Sequence, residues 1–266
     1  MLLKPKYPTI EHEKAAKTVV DYFTPISDIE AVILYCSCAR GKAGVGSCID
    51  IGVLMLPEIL LKKKTQLEKQ WDEFQAKETI FQELNKHGRF AEVHLDFFNG
   101  DFKPKPREWT SGPDEFELEI GNYLAYSVAL LEKGNYYTKL KAQWLPYYDE
   151  KLRQTRLAMV QQYCFNNLEH IQLCAKRGLY FQAFKRFYDA FREFLQALFI
   201  SRRTYPIAYD KWIKEQIEEI LKLPRLYPEL PKLFEIKNFE SLEIVDKARK
   251  LEQLYKQYVL EYPQPK

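Results

Sequence analysis

The residues best suited to chemistry sit in one stretch, Cys36-Ser-Cys-Ala-Arg-Gly-Lys-Ala-Gly-Val-Gly-Ser-Cys-Ile-Asp50-Ile-Gly-Val53. Its glycines, alanines and serines let backbone N–H groups and a hydroxyl come close to an anion, and Arg40 and Lys42 add positive charge. Ser37 and Arg40 are the residues expected on phosphate, with Lys42 and Ser47 in the same loop. From Ile49 the pattern is that of a strand, where Ile49, Ile51 and Val53 face one way and Cys48, Asp50 and Gly52 the other. A further strand spans Phe90 to Phe98, where Val93, Leu95 and Phe97 alternate against Glu92, His94 and Asp96, three candidate ligands on one face. An acidic residue at a strand end is most often a solvated turn residue, so Asp96 gains chemical meaning from Asp50 being near.

The elements that must position these side chains can be read from periodicity. Thr9 caps a helix with Glu11 and Glu13 in its first turn and a stripe of Ala15, Ala16, Val19, Val20 and Phe23, ended by Pro25. Ala31 to Cys36 is a continuous apolar run of strand length, and Ile49 to Leu56 is a second, closed by Pro57. A charged helical stretch covers about 62–86 ahead of the third strand. The order helix, strand, strand, helix, strand predicts a small α/β unit, too short for a doubly wound fold. Asp101 to Pro113 is rich in Lys, Pro and Gly and marks a boundary, giving domains of 1–112 and 113–266. Beyond it helices are expected near 115–133, 137–176 with a break at Pro146, 179–201, 209–222 and 239–260, with no strand after Glu115. The stripes Leu157, Val160, Cys164, Leu168, Ile171 and Phe181, Phe184, Tyr188, Phe191, Leu195, Leu198 are what a helical bundle buries. The fold class is α+β: a small mixed-sheet domain followed by an all-α helical bundle.

The Cys36–Val53 stretch resembles the signature of the nucleotidyltransferase superfamily typified by DNA polymerase beta and the antibiotic-modifying (aminoglycoside and lincosamide) nucleotidyltransferases, Gly-Ser-x-Ala-x-Gly-x-Ala-x-x-x-Ser-Asp-Ile-Asp-Leu-x-Val. Ser37, Ala39, Gly41, Ala43, Ser47, Ile49, Asp50 and Val53 coincide without a gap. Cys36 stands where the family has Gly, and Cys48 where it has the first Asp. The resemblance implies binding of ATP or another nucleoside triphosphate and transfer of a nucleoside monophosphate to a hydroxyl of a small molecule. It also implies two Mg²⁺ (or Mn²⁺) ions held by carboxylates, here Asp50 and Asp96. Glu117 and Glu119 stand where some aminoglycoside members carry a general base; Glu119 is assigned that role, against the simpler reading that both complement a helix dipole. A thiol is a poor ligand for Mg²⁺, so Cys48 opens a second reading: a catalytically silent member that binds a nucleotide or a protein partner. In the helical half, Asn166, His170, Lys185, Asp189 and Arg192 are the pool for acceptor contacts, against their more common use as solvated faces or salt bridges.

Composition narrows the classes. The chain has 266 residues, 46% hydrophobic and 29% charged, with 10 Gly and 14 Pro, as expected of a compact globular protein. With 40 Lys+Arg against 37 Asp+Glu the net charge is +3, so nucleic acid is not an expected partner; Lys62-Lys-Lys64 and Lys103-Pro-Lys-Pro-Arg107 are its basic clusters. The amino terminus lacks the apolar core of a signal peptide and no apolar run approaches the ~20 residues of a membrane span, so no membrane partner and a cytoplasmic location are expected. Five cysteines without paired spacing predict neither a disulfide framework nor a structural zinc site. The acceptor, the nucleobase and the oligomeric state are not encoded in any spacing.

Overall fold

The structure, a computed structural model, describes residues 4–106 and 113–262. The expected boundary at 112, and Arg107 of the second basic cluster, lie outside the described residues. Helix α1 (Ile10–Phe23) starts where Thr9 accepts the His12 N–H, carries Glu11 and Glu13 in its first turn, and buries Ala15, Ala16, Val19 and Phe23. Strand β1 (Ile29–Tyr35) leads into a five-residue helix α2 (Cys36–Arg40), and the loop after it enters β2 (Ile49–Met55). Pro57 then opens α3 (Pro57–Gln75), where its missing N–H costs no hydrogen bond. The charged stretch forms two helices, α3 and α4 (Thr79–Asn85), which bury Leu67, Trp71, Phe81 and Leu84, and β3 (Val93–Phe98) follows.

Next come α5 (Phe116–Ile120), a π-helical turn at Gly121–Ala125 and strand β4 (Val128–Glu132), where the sequence predicts one helix over 115–133 and no strand. Val128-Ala-Leu-Leu-Glu132 consists largely of good helix formers, but β1 offers it an open edge. It pairs antiparallel there, Ala31 with Glu132 and Leu34 with Val128, so pairing overrides propensity. The sheet order is β3-β2-β1-β4. Strands β2 and β3 are parallel and the other neighbours antiparallel, so the sheet is mixed.

One face of this sheet carries Val32, Leu34, Ile49, Ile51, Val53, Val93 and Phe97, packed with α1 and with Leu67, Trp71 and Phe81. Each such large apolar side chain contributes ~1.5–3 kcal/mol on burial. The other face carries Tyr35, Asp50, Gly52, His94, Asp96 and Phe98, and the chemistry is confined to it by the two-residue period of the strands. A Cβ on Gly52 would lie 3.0 Å from both Ile33 and Phe98, so glycine lets those side chains close over β2 beside Asp50.

The remaining helices are α6 (Tyr136–Trp144), α7 (Glu150–Lys176), α8 (Tyr180–Ser201), α9 (Glu229–Lys232) and α10 (Glu243–Tyr255). The break expected at Pro146 separates α6 from α7. Two further π-helical turns lie at Glu215–Ile220 and Lys256–Leu260. The chain forms two compact units: 1–103 with 119–146, which holds the sheet, and 104–118 with 147–266, which is helical. The chain therefore passes between units more than once, where the sequence predicts a single crossing. Among the described residues no helix is long and apolar enough to cross a membrane.

Candidate functional site

Asp50 sits second in β2 on the polar sheet face, opposite Tyr35 of β1 and opposite His94 of β3. Its side chain is 13% exposed. The Cys48 thiol donates toward both of its oxygens, at 3.6 and 3.4 Å, and His94 Nδ1 lies 3.6 Å from Oδ1. Burial pushes the Asp50 carboxyl above its ordinary value; the thiols of Cys48 and Cys36 and the His94 ring pull it back, while the charge of Asp96 adds to the rise.

Asp96 faces Gly52, one step further along the pair. Its Oδ2 accepts the Tyr35 hydroxyl at 2.5 Å, and burial, with the neighbouring Tyr123 and this bond, holds that phenol protonated well above its usual range. Tyr123, from the π-helical turn, meets the Tyr35 ring edge-on at 5.0 Å and stacks on Phe98 at 4.4 Å. Asp50 and Asp96 thus share a face, as expected, but Asp50's direct neighbours are a thiol and an imidazole. Tyr35 and Tyr123 were missed by sequence reasoning, since an aromatic residue in a strand or helix reads as core. Partly buried Glu119 lies within electrostatic reach of Tyr123.

The loop before β2 is held by its own backbone. Lys42 N–H donates to the Ser37 carbonyl at 2.9 Å, Gly44 N–H to Ser47 Oγ at 2.9 Å, and Ser47 N–H returns to the Gly44 carbonyl at 3.0 Å. Ser37 is buried in α2; Arg40, half-buried at its end, favours the ionised form of the Cys36 thiol, which burial and Asp50 oppose more strongly; Lys42 is exposed. Cys36 has φ of 55°, the left-handed region glycine occupies easily. His12, which the sequence reading passed over, is fully buried and anchors the loop. Its Nε2–H donates to the Ser47 carbonyl at 3.0 Å, which leaves Nδ1 to accept from the Thr9 hydroxyl at 2.8 Å. Its only sequence-level mark is a polar residue on the apolar side of α1.

Other candidate residues make polar contacts within the helical unit. Glu117 belongs to the helical unit, where its carboxylate accepts Arg156 Nε and Nη2 at 2.5 Å each, the Tyr148 hydroxyl and Gln196 Nε2. Lys185 pairs with Asp189 at 2.6 Å, Arg192 with Asp210 at 3.1 Å, and His170 Nδ1 with the Asn166 carbonyl at 2.7 Å.

No protein-family model matches the chain, and no curated protein matches it. A solved structure described as a nucleotidyltransferase-like protein from Exiguobacterium sibiricum 255-15 is similar, at 13% identity over 93% of this chain and 76% of that one, with a TM-score of 0.44. At that score the likeness carries no weight for function, which has to come from the residues of the site.

Proposed function

We propose that the sheet-bearing unit is a nucleotidyltransferase-like module that binds a nucleoside triphosphate on its Ser37–Ser47 segment and does not support magnesium-dependent transfer. The observation that carries this reading is the set of groups around Asp50. Strand β2 presents the motif's carboxylate directly after the glycine-bearing loop, with Asp96 on the neighbouring strand, the layout a triphosphate site needs. Yet Cys48 and His94 stand against that carboxylate, and Asp96 is bound by Tyr35. Mg²⁺ demands oxygen ligands in near-octahedral array, and a carboxylate flanked by a thiol and an imidazole does not fit it. Ser37 and Arg40 would hold phosphate, with Lys42 and Ser47 assisting, and none of them depends on the metal.

Calorimetric titration with ATP tests the reading. Native protein binds ATP with an affinity that Mg²⁺ or Mn²⁺ changes little, and Arg40→Ala loses one charge-assisted contact, about 1.5–3 kcal/mol. Cys48→Asp makes the affinity magnesium-dependent. Pyrophosphate release with a small-molecule hydroxyl acceptor, at a rate typical of enzymes, would overturn the silent part and return Asp50, Asp96 and Glu119 to catalysis. Absence of ATP binding would overturn the reading as a whole.

A further inference from the structure

We propose that Cys48, Asp50 and His94 form a site for a single borderline-soft transition-metal ion, Zn²⁺, in place of the magnesium centre the motif implies. One ligand atom from each residue lies within 4.8 Å of the other two. Measured from one carboxylate oxygen, Asp50 Oδ1, two of the three spacings are 3.6 Å to Cys48 Sγ and 3.6 Å to His94 Nδ1. Ligand atoms ~2.0–2.3 Å from a tetrahedral zinc stand roughly 3.3–3.8 Å apart, so these two edges already match.

The donor set points to the same ion. Sulfur, imidazole nitrogen and carboxylate oxygen together are what Zn²⁺ accepts and Mg²⁺ does not. The imidazole is also aimed. His94 Nε2 lies 3.0 Å from Glu92 Oε1, so its hydrogen goes to that carboxylate and the Nδ1 lone pair turns toward Asp50. A carboxylate behind a histidine in this way fixes the tautomer and raises the basicity of the ligating nitrogen. The nitrogen lone pair and the carboxylate converge beside the Cys48 and Cys36 thiols. Binding displaces the thiol proton from Cys48 to solvent, one proton per metal, and the Cys48 thiolate, the Asp50 carboxylate and the neutral ring bind Zn²⁺. The His94 side chain is 50% exposed, which gives the ion a way in. Three protein ligands leave one position for water or another oxygen ligand. The site depends on these donors alone and stands whether or not the loop binds a nucleotide.

The test uses untagged full-length protein without nucleotide. Zn²⁺ titration is expected to show one equivalent bound with release of one proton, unaffected by excess Mg²⁺. Co²⁺ is expected to give a thiolate-to-metal charge-transfer band. Cys48→Ser abolishes that band and weakens Zn²⁺ binding at least tenfold, His94→Gln weakens it similarly, and Glu92→Gln costs about 10–100-fold. Cys174→Ser, in the helical unit, changes nothing. His94 is exposed enough that His94→Gln is expected to fold as the native chain does, which circular dichroism checks, so the proposal can be judged even if a Cys48 variant does not fold. No stoichiometric Zn²⁺ binding, or binding indifferent to Cys48→Ser and His94→Gln, overturns it. ATP affinity measured separately on the same preparations shows whether the nucleotide reading fails independently.

Discussion

At the scale of single residues, the cysteines and histidines set this site apart from its motif. Cys36 occupies left-handed backbone at φ 55°, where the resembling family has Gly, and a side chain there costs ~1–2 kcal/mol. Cys36→Gly is therefore expected to be more stable than Cys36→Ala by about 1 kcal/mol, because both lose the thiol and only Gly relieves the backbone; urea unfolding of the pair measures the difference. His12 gives a pH prediction. Its burial, with the neighbouring His87, lowers its folded pKa against the pull of the Ser47 carbonyl and Glu11, below the ~6.5 at which the unfolded histidine titrates. Below that pH the unfolded state binds the extra proton, and stability falls as pH drops from there toward the folded value. His12→Gln should flatten this part of a melting-temperature profile, whereas loss of the Glu11–His87 pair, whose carboxyl is held below its ordinary value, belongs to lower pH. Asp50 and Cys48 were legible through the resemblance of the Cys36–Val53 stretch to a family signature. That His94 and not Asp96 faces Asp50 was not, since Glu92, His94 and Asp96 share one face in any register, and the offset between β2 and β3 is set by packing.

At the scale of elements, α1, β1, β2 and β3 were legible because caps, prolines and alternation agree there, whereas the five-residue α2 falls in what reads as loop and one charged helical stretch divides into α3 and α4. Strand β4 was not, because Ala-Leu-Leu-Glu carries helix propensity and its pairing partner lies about a hundred residues earlier. The buried cluster in the helical unit was equally invisible, since Glu117 in a first turn reads as a dipole partner. It links the 114–117 stretch to α7 and α8: Arg156, 1% exposed, reaches Glu117 and, at 3.0 Å, Asp114. Removing one partner leaves the other charge buried, so Glu117→Ala should cost about 3–5 kcal/mol. Glu117→Leu combined with Arg156→Met and Asp114→Asn is expected to cost much less, because no charge is stranded. Denaturant midpoints of the two variants check this, and equal losses would mean that the contacts, rather than the charges, matter.

At the scale of the whole molecule, a bound ion shows in global stability by mass action. Zn²⁺ at about 100 times its dissociation constant should add ~2.7 kcal/mol to the unit that holds it, and a chelator should reverse the rise in melting temperature. The interleaved units have a different consequence, for synthesis. The sheet cannot close until β4 has been made, 97 residues after the end of β1, since Glu132 follows Tyr35 by that count. At ~5–20 residues per second the ribosome holds β1 with one side unpaired for roughly 5–20 s. That edge is Ala31-Val-Ile-Leu34, wholly buried in the finished fold and of the composition that recruits other chains when exposed. A chain cut at residue 112 keeps the edge open permanently and is expected to aggregate, which sedimentation of the shortened product would show. The nascent protein therefore depends on prompt translation of its middle third, or on a chaperone that covers β1 until β4 emerges.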